Sequence, residues 1–253
     1  MLPHFMYCKI YKAVMCIRVM FIMSDMKKIY DGMWNNSLQR IKGDKYEIDN
    51  LINCSKDTRR GMSVLSYLSD EIGVAISTLL DQLQRIEPEQ YYYPANEFHL
   101  TVLTVITCFE GFKLSDIDVK AYSDAFQQAV EDIGPFKIRY SGITASPSCI
   151  LVQGFPDDEQ LNLLRGKLRS SFERANLRTT TDLRYEISTA HTTVVRFKSP
   201  LRNRDAFIEL LSKYRNIDFG TLEVDRLDFV FNNWYQELSV TNKLSSKELI
   251  AVK

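Results

Sequence analysis

Two short stretches constrain this chain more than anything else in it: His99-Leu100-Thr101-Val102 and His191-Thr192-Thr193-Val194. The sequence holds three histidines, and two of them open this same His-x-Thr pattern. On a β-strand, residues i and i+2 share a face, so each stretch presents an imidazole beside a hydroxyl. Bringing two such strands together would face two imidazoles across a groove, flanked by the hydroxyls of Thr101 and Thr193. That is the equipment for moving protons at a phosphodiester.

The surrounding pattern repeats. Ser69-Asp70-Glu71 starts a helix with Ile72, Ile76, Leu79, Leu80, Leu83 and Ile86 on one face. A loop with Tyr91, Tyr92 and Tyr93 leads into a strand at about 97–107. Ser115 with Asp118 reads as a capping box for a helix through Val119, Tyr122, Phe126 and Val130. Strands follow at about 136–144 and 149–154. Asp157-Asp158 then opens a second helix with Leu161, Leu164, Leu168, Phe172 and Ala175 on one side. A strand over 190–197, a short helix after Asn203, and strands over 219–231 and 234–240 complete the chain. The order helix, His-x-Thr strand, helix, hairpin thus occurs twice. The expected fold is α+β: a bilobal, pseudo-two-fold duplication of antiparallel sheets, with outer helices around a central groove. Residues 61–253 form this single domain, and 26–60 form a helical and loop segment ahead of it. Residues 1–25 read as an extension, with the natural start expected at Met23 or Met26. A peripheral anchor and a disordered tail are the alternatives, because Lys9, Lys12 and Arg18 interrupt the apolar run.

Charge balance argues against one class of partner. Lys plus Arg and Asp plus Glu are both 32, giving a formal net charge of zero. A long duplex-DNA footprint normally needs clustered positive charge, whereas a small or single-stranded anionic ligand stays open. Five cysteines without a C-x-x-C suggest neither a disulfide framework nor zinc, and fit a reducing cytoplasm. Only His4 remains as a third imidazole, so no metal site and no cofactor are expected. The expected state is a monomer without a membrane span. Tyr93, Tyr140 and Tyr235 are candidates to stack a base or ribose. Arg184 and Arg196 are candidates to meet phosphate. Arg196 lies five residues after His191, so in a regular strand it would face away, and only a bulge would turn it in.

The paired H-x-[ST]-hydrophobic motifs, about ninety residues apart in a duplicated α+β chain, resemble the two-histidine phosphoesterase superfamily over about 61–240. That superfamily includes 2'-5' RNA ligase-like proteins, cyclic phosphodiesterases and bacterial members loosely labelled mutarotase. The resemblance implies His99 and His191 as an acid–base pair, Thr101 and Thr193 as phosphate-binding hydroxyls, and Arg196 as the family's trailing arginine. It implies a metal-independent phosphodiesterase on 2',3'-cyclic or 2'-5'-linked nucleotide or RNA-end phosphates, with RNA ligation as the reverse reaction. The alternatives are a hydrolase of cyclic oligonucleotide signals and a nucleotide- or RNA-binding module without turnover.

Overall fold

A computed structural model describes residues 24–183 and 186–251. The readings made for residues 1–23 and for Arg184 lie outside the described residues. The chain runs α1 (24–42), β1 (Arg59–Tyr67), α2 (Asp70–Ile86), β2 (Tyr91–Tyr92), β3 (His99–Glu110), α3 (Val119–Val130), β4 (Phe136–Ala145) and β5 (Cys149–Pro156). It continues through α4 (Gln160–Arg174), β6 (Thr192–Arg196), α5 (Arg204–Lys213), β7 (Asp218–Val224), β8 (Arg226–Asn233) and β9 (Asn242–Glu248). No described helix is long and apolar enough to cross a membrane.

The helices follow their apolar periodicity. In α2 the stripe of Ile72, Ile76, Leu79, Leu80 and Leu83 is buried, as the spacing predicts. Asp118 caps α3 by accepting from the Ala121 backbone N–H at 3.0 Å. Ser115 takes no part in that cap; it sits in a separate 3-10 turn over Leu114–Asp116. In α4 the apolar face of Leu161, Leu164, Leu168 and Phe172 is buried, and a charged residue, Arg165, is buried among them.

Two antiparallel sheets result, ordered β3-β1-β8-β9 and β2-β6-β5-β4-β7. Each sheet carries one motif strand, but the sheets are not the two halves of the chain. The β4–β5 hairpin follows the first motif in sequence yet pairs with β6, the strand of the second motif. The reason is burial. Every residue of β5 is buried, so it needs a neighbour on each side, which β4 and β6 supply. The last strands also differ from the expected hairpin. The 219–231 strand breaks at Asp225 into β7 and β8, which enter different sheets. Residues 234–240 are a turn and not a strand, because Asn233 Oδ1 accepts from the backbone N–H of Tyr235 (3.2 Å) and Glu237 (3.1 Å). Its strand role passes to β9.

The segment ahead of β1 packs on the same body. Tyr30 of α1 is fully buried, and its hydroxyl donates to the Gly154 carbonyl and accepts from the Ala190 backbone N–H, both at 3.1 Å.

Candidate active site

Both motifs reach one cavity of about 190 Å³, lined by His99, Thr101, His191, Thr193 and Arg196 together with Tyr93, Tyr235 and Trp234. The strands deliver them through matching irregularities. In β3 the register against β1 passes from Leu65–Thr101 to Val64–Leu103, so Val102 is an extra, bulged residue. In β6 the register against β5 passes from Leu151–Thr193 to Ile150–Val195, so Val194 is extra in the same place. A bulge resets the alternation of side chains. Residue His+5 therefore turns inward in both motifs: Thr104 after His99, and Arg196 after His191. This supplies the bulge that an inward Arg196 needs.

His191 lies one residue before β6, and not within a strand starting at residue 190. The Ala190 N–H is taken by Tyr30 rather than by a ladder partner. The approach is close enough that a Cβ on Gly154 would stand 1.8 Å from the Ala190 carbonyl oxygen. Only glycine fits there.

The two motifs are tied to each other. The His99 backbone N–H donates to Thr192 Oγ1 at 3.3 Å. From below, Arg165 Nε donates to the carbonyl of the bulged Val102 at 2.8 Å, and its Nη2 donates to the Thr189 carbonyl at 2.7 Å. A bulge leaves its extra residue without a ladder partner, and Arg165 supplies one.

The two imidazoles are held differently. His99 Nδ1 lies 2.7 Å from the Glu97 carbonyl, which can only accept, so Nδ1 carries the proton and Nε2 is the lone-pair nitrogen when the ring is neutral. His191 Nδ1 lies 2.8 Å from Thr189 Oγ1, a hydroxyl that can donate or accept, so either tautomer of His191 keeps this bond. Burial pushes His99 down to about 4, with the Glu97 carbonyl opposing and Arg196 adding to the fall. His191 is also pushed to about 4, first by burial and then by Arg165, His99 and Arg196. Both rings are therefore neutral in the unliganded site near neutral pH.

The Arg196 Nε donates to Tyr93 Oη at 2.8 Å, and its guanidinium lies over the rings of Trp234 (5.7 Å) and Tyr235 (5.6 Å). Tyr235 Oη accepts from Arg59 and donates to Asp49, each at 3.1 Å. Tyr93 and Tyr235 thus line the cavity, but their hydroxyls hold protein groups. Tyr140 does not reach it. It is fully buried in β4, and an inward position in the middle of sheet β2-β6-β5-β4-β7 places it in the core. Cys108 lines the cavity with its thiol pushed up to about 12 by burial, which leaves it protonated. Among the described residues no group of three His, Cys, Asp or Glu could hold a metal ion.

Arg165, Thr189, Thr104 and Trp234 were not legible as site residues. Arg165 did carry a signal, a charge set within the apolar stripe of α4. The others depend on the bulges and on the 234–240 turn.

No family model and no curated protein matches this sequence. Solved structures do. E. coli LigT complexed with 3'-AMP is similar over 76% of this chain and 98% of its own, at 14% identity and a TM-score of 0.53. A structure described as a phosphoesterase covers 76% and 99%, at 13% identity and 0.52. A conserved protein of unknown function from Agrobacterium tumefaciens covers 84% and 97%, at 17% identity and 0.53. The likeness is one of architecture: this chain has the α+β fold of LigT and related phosphoesterases.

Proposed function

We propose that this protein is a two-histidine phosphoesterase that cleaves 2',3'-cyclic or 2'-5'-linked nucleotide phosphates without a metal, with ligation as the reverse reaction. One observation carries the reading. Two His-x-Thr motifs from separate sheets, with the same bulge, converge on a cavity that also holds the Arg196 guanidinium. A positive, partly enclosed group among neutral imidazoles and hydroxyls calls for an anion. The similar LigT structure with 3'-AMP supports a nucleotide as that anion. The cavity's modest size favours a nucleotide or an RNA end over a duplex.

In the hydrolytic direction His99 Nε2, the fixed lone pair, accepts a proton from the attacking water. His191 donates a proton to the departing ribose oxygen. Thr101 and Thr193 donate to the non-bridging oxygens, where charge is held in the transition state. The arriving phosphate supplies the negative charge that lets one imidazole take up a proton. Reversing the reaction exchanges the two roles. Unpaired thiols at Cys54, Cys108 and Cys149 support a reducing, cytoplasmic setting, and we read the working unit as a monomer.

The test is a turnover screen in EDTA over 2',3'-cyclic mononucleotides, 2'-5' dinucleotides, cyclic dinucleotides and RNA ends. Turnover of the first two groups is expected. Turnover only of cyclic dinucleotides would replace this substrate class with cyclic oligonucleotide signals. Binding without turnover of any would leave a nucleotide-binding module. Activity lost in EDTA and restored by zinc or manganese would overturn the mechanism.

A further inference from the structure

Thr189 Oγ1 lies 2.8 Å from His191 Nδ1, and that contact alone would suit either tautomer of the ring. The surroundings of Thr189 choose between them. Thr189 is buried, so its O–H needs an acceptor inside the protein. The competing acceptor is the Tyr30 hydroxyl of α1. Burial raises the Tyr30 pKa, so this group stays a neutral hydroxyl, and Thr189 is among the groups that act on it. Its hydrogen-bonding sites are already full. It donates to the Gly154 carbonyl at 3.1 Å, and it accepts from the backbone N–H of Ala190 at 3.1 Å and of Gly154 at 3.3 Å. A hydroxyl has one proton to give and two lone pairs, and these three bonds use them all. Arg165 and Arg196, the cations acting on His191, carry donors only and cannot take the Thr189 proton. Among the described residues, His191 Nδ1 is thus the acceptor left for it. Donation from Thr189 makes Nδ1 the bare nitrogen of the neutral ring and puts the ring's proton on Nε2. His99 is held the other way round, because the Glu97 carbonyl takes its Nδ1 proton.

We propose that Thr189 is a positioning residue for the reaction: its hydroxyl holds neutral His191 in the Nε2–H tautomer, opposite to His99. Tyr30 keeps that hydroxyl turned to the ring by filling its own sites with backbone groups. Both rings line the cavity with Nδ1 engaged by the protein, which leaves their Nε2 atoms for a ligand. The site then offers one lone pair, from His99, and one N–H, from His191, before any substrate arrives. Two rings in the same tautomer would offer two donors or two acceptors instead. The proposal rests on the phosphoesterase reading above and adds how the accepting and donating ends of that site are told apart. It also gives α1 a part in the chemistry, since Tyr30 stands 160 residues before Ala190 in the chain.

The test is nitrogen NMR of the full chain, isotope-labelled in histidine, near neutral pH, where both rings are uncharged. Protonated and bare ring nitrogens resonate far apart, and the signals are assigned by their loss in His99→Gln and His191→Gln. His99 should carry its proton on Nδ1 and His191 on Nε2. Thr189→Val, close in shape but without the hydroxyl, should return His191 to a mixture of tautomers. It should also lower kcat about 10-fold on the best substrate, part of what a proton-transfer group contributes, with KM little changed. Thr189→Ser should restore both the tautomer and kcat. A wild-type His191 bare at Nε2 would overturn the proposal, and this measurement decides it even if Thr189→Val fails to fold. A folded Thr189→Val enzyme with its tautomer or its kcat unmoved, or no rescue by serine, would overturn it too. Opposite tautomers in place with no turnover of any phosphodiester would instead overturn the phosphoesterase reading on which it rests.

Discussion

His99 donates its backbone N–H to the side chain of Thr192 at 3.3 Å, so the first residue of one motif is bonded to the second motif. The backbone that carries His99 is thereby anchored on the residue that follows His191, and changes at the second motif should be read at the first.

Replacing either imidazole should remove a proton-transfer partner. His99→Ala and His191→Ala are each expected to lower turnover by about 100-fold or more on the best substrate. Circular dichroism should show the fold retained, since the β1–β3 and β5–β6 ladders do not use the rings. Near-normal turnover in either variant would remove that histidine from the mechanism.

Stability should fall with acid through these same groups. Both folded-state values are depressed to about 4 by burial, against about 6.5 in an unfolded chain. Their contribution is fully present above about pH 6.5 and is lost as pH falls toward about 4, because the unfolded chain takes up protons first. Denaturation midpoints near neutral pH and at about pH 5 should differ less in the double variant His99→Gln, His191→Gln. The two rings interact, so the apparent midpoint belongs to the pair. Phosphate binding at about pH 6 should be accompanied by proton uptake, read by calorimetry in buffers of different ionisation heat. Equal heats in all buffers would contradict this account.

Arg165 joins the Val102 bulge to Thr189, so Arg165→Met strands buried carbonyls on both sides. A loss of roughly 2–4 kcal/mol in unfolding free energy is expected. The His191 pKa should rise, since Arg165 is the strongest charge acting to lower it. Proton NMR titration of the ring reads this directly. An unmoved His191 titration in a folded variant would mean that Arg165 serves packing alone.

Gly154→Ala drives a methyl group into the Ala190 carbonyl. Overpacking of this kind costs about 1–3 kcal/mol. Here it would also displace the residue before His191, so turnover should fall further than the stability loss alone explains. Gly166→Ala, with open space around the added methyl, serves as the control and should leave turnover unchanged.

The sequence by itself determined the helices, most strands, and the pairing of two His-x-Thr motifs. Those are local facts. Apolar spacing in α2 and α4 follows from helical periodicity, and His99 with Thr101 share a face because they are two apart on a strand. Tertiary structure decided the rest, because the rest depends on neighbours. Nothing local says that β5 will pair with β6 across the boundary of the repeat, or that Asn233 will pull 234–240 into a turn. Strand parity read along the chain turns Arg196 outward. The bulge at Val194 turns it inward, and a bulge is a mismatch between two strands that neither strand's sequence contains. Tyr140 shows the converse: an amphipathic residue in a hairpin near the motifs, placed by the sheet in the core. Arg165 could be seen in the apolar stripe of α4, but its role could not, since its partners are carbonyls 24 and 63 residues away in the chain.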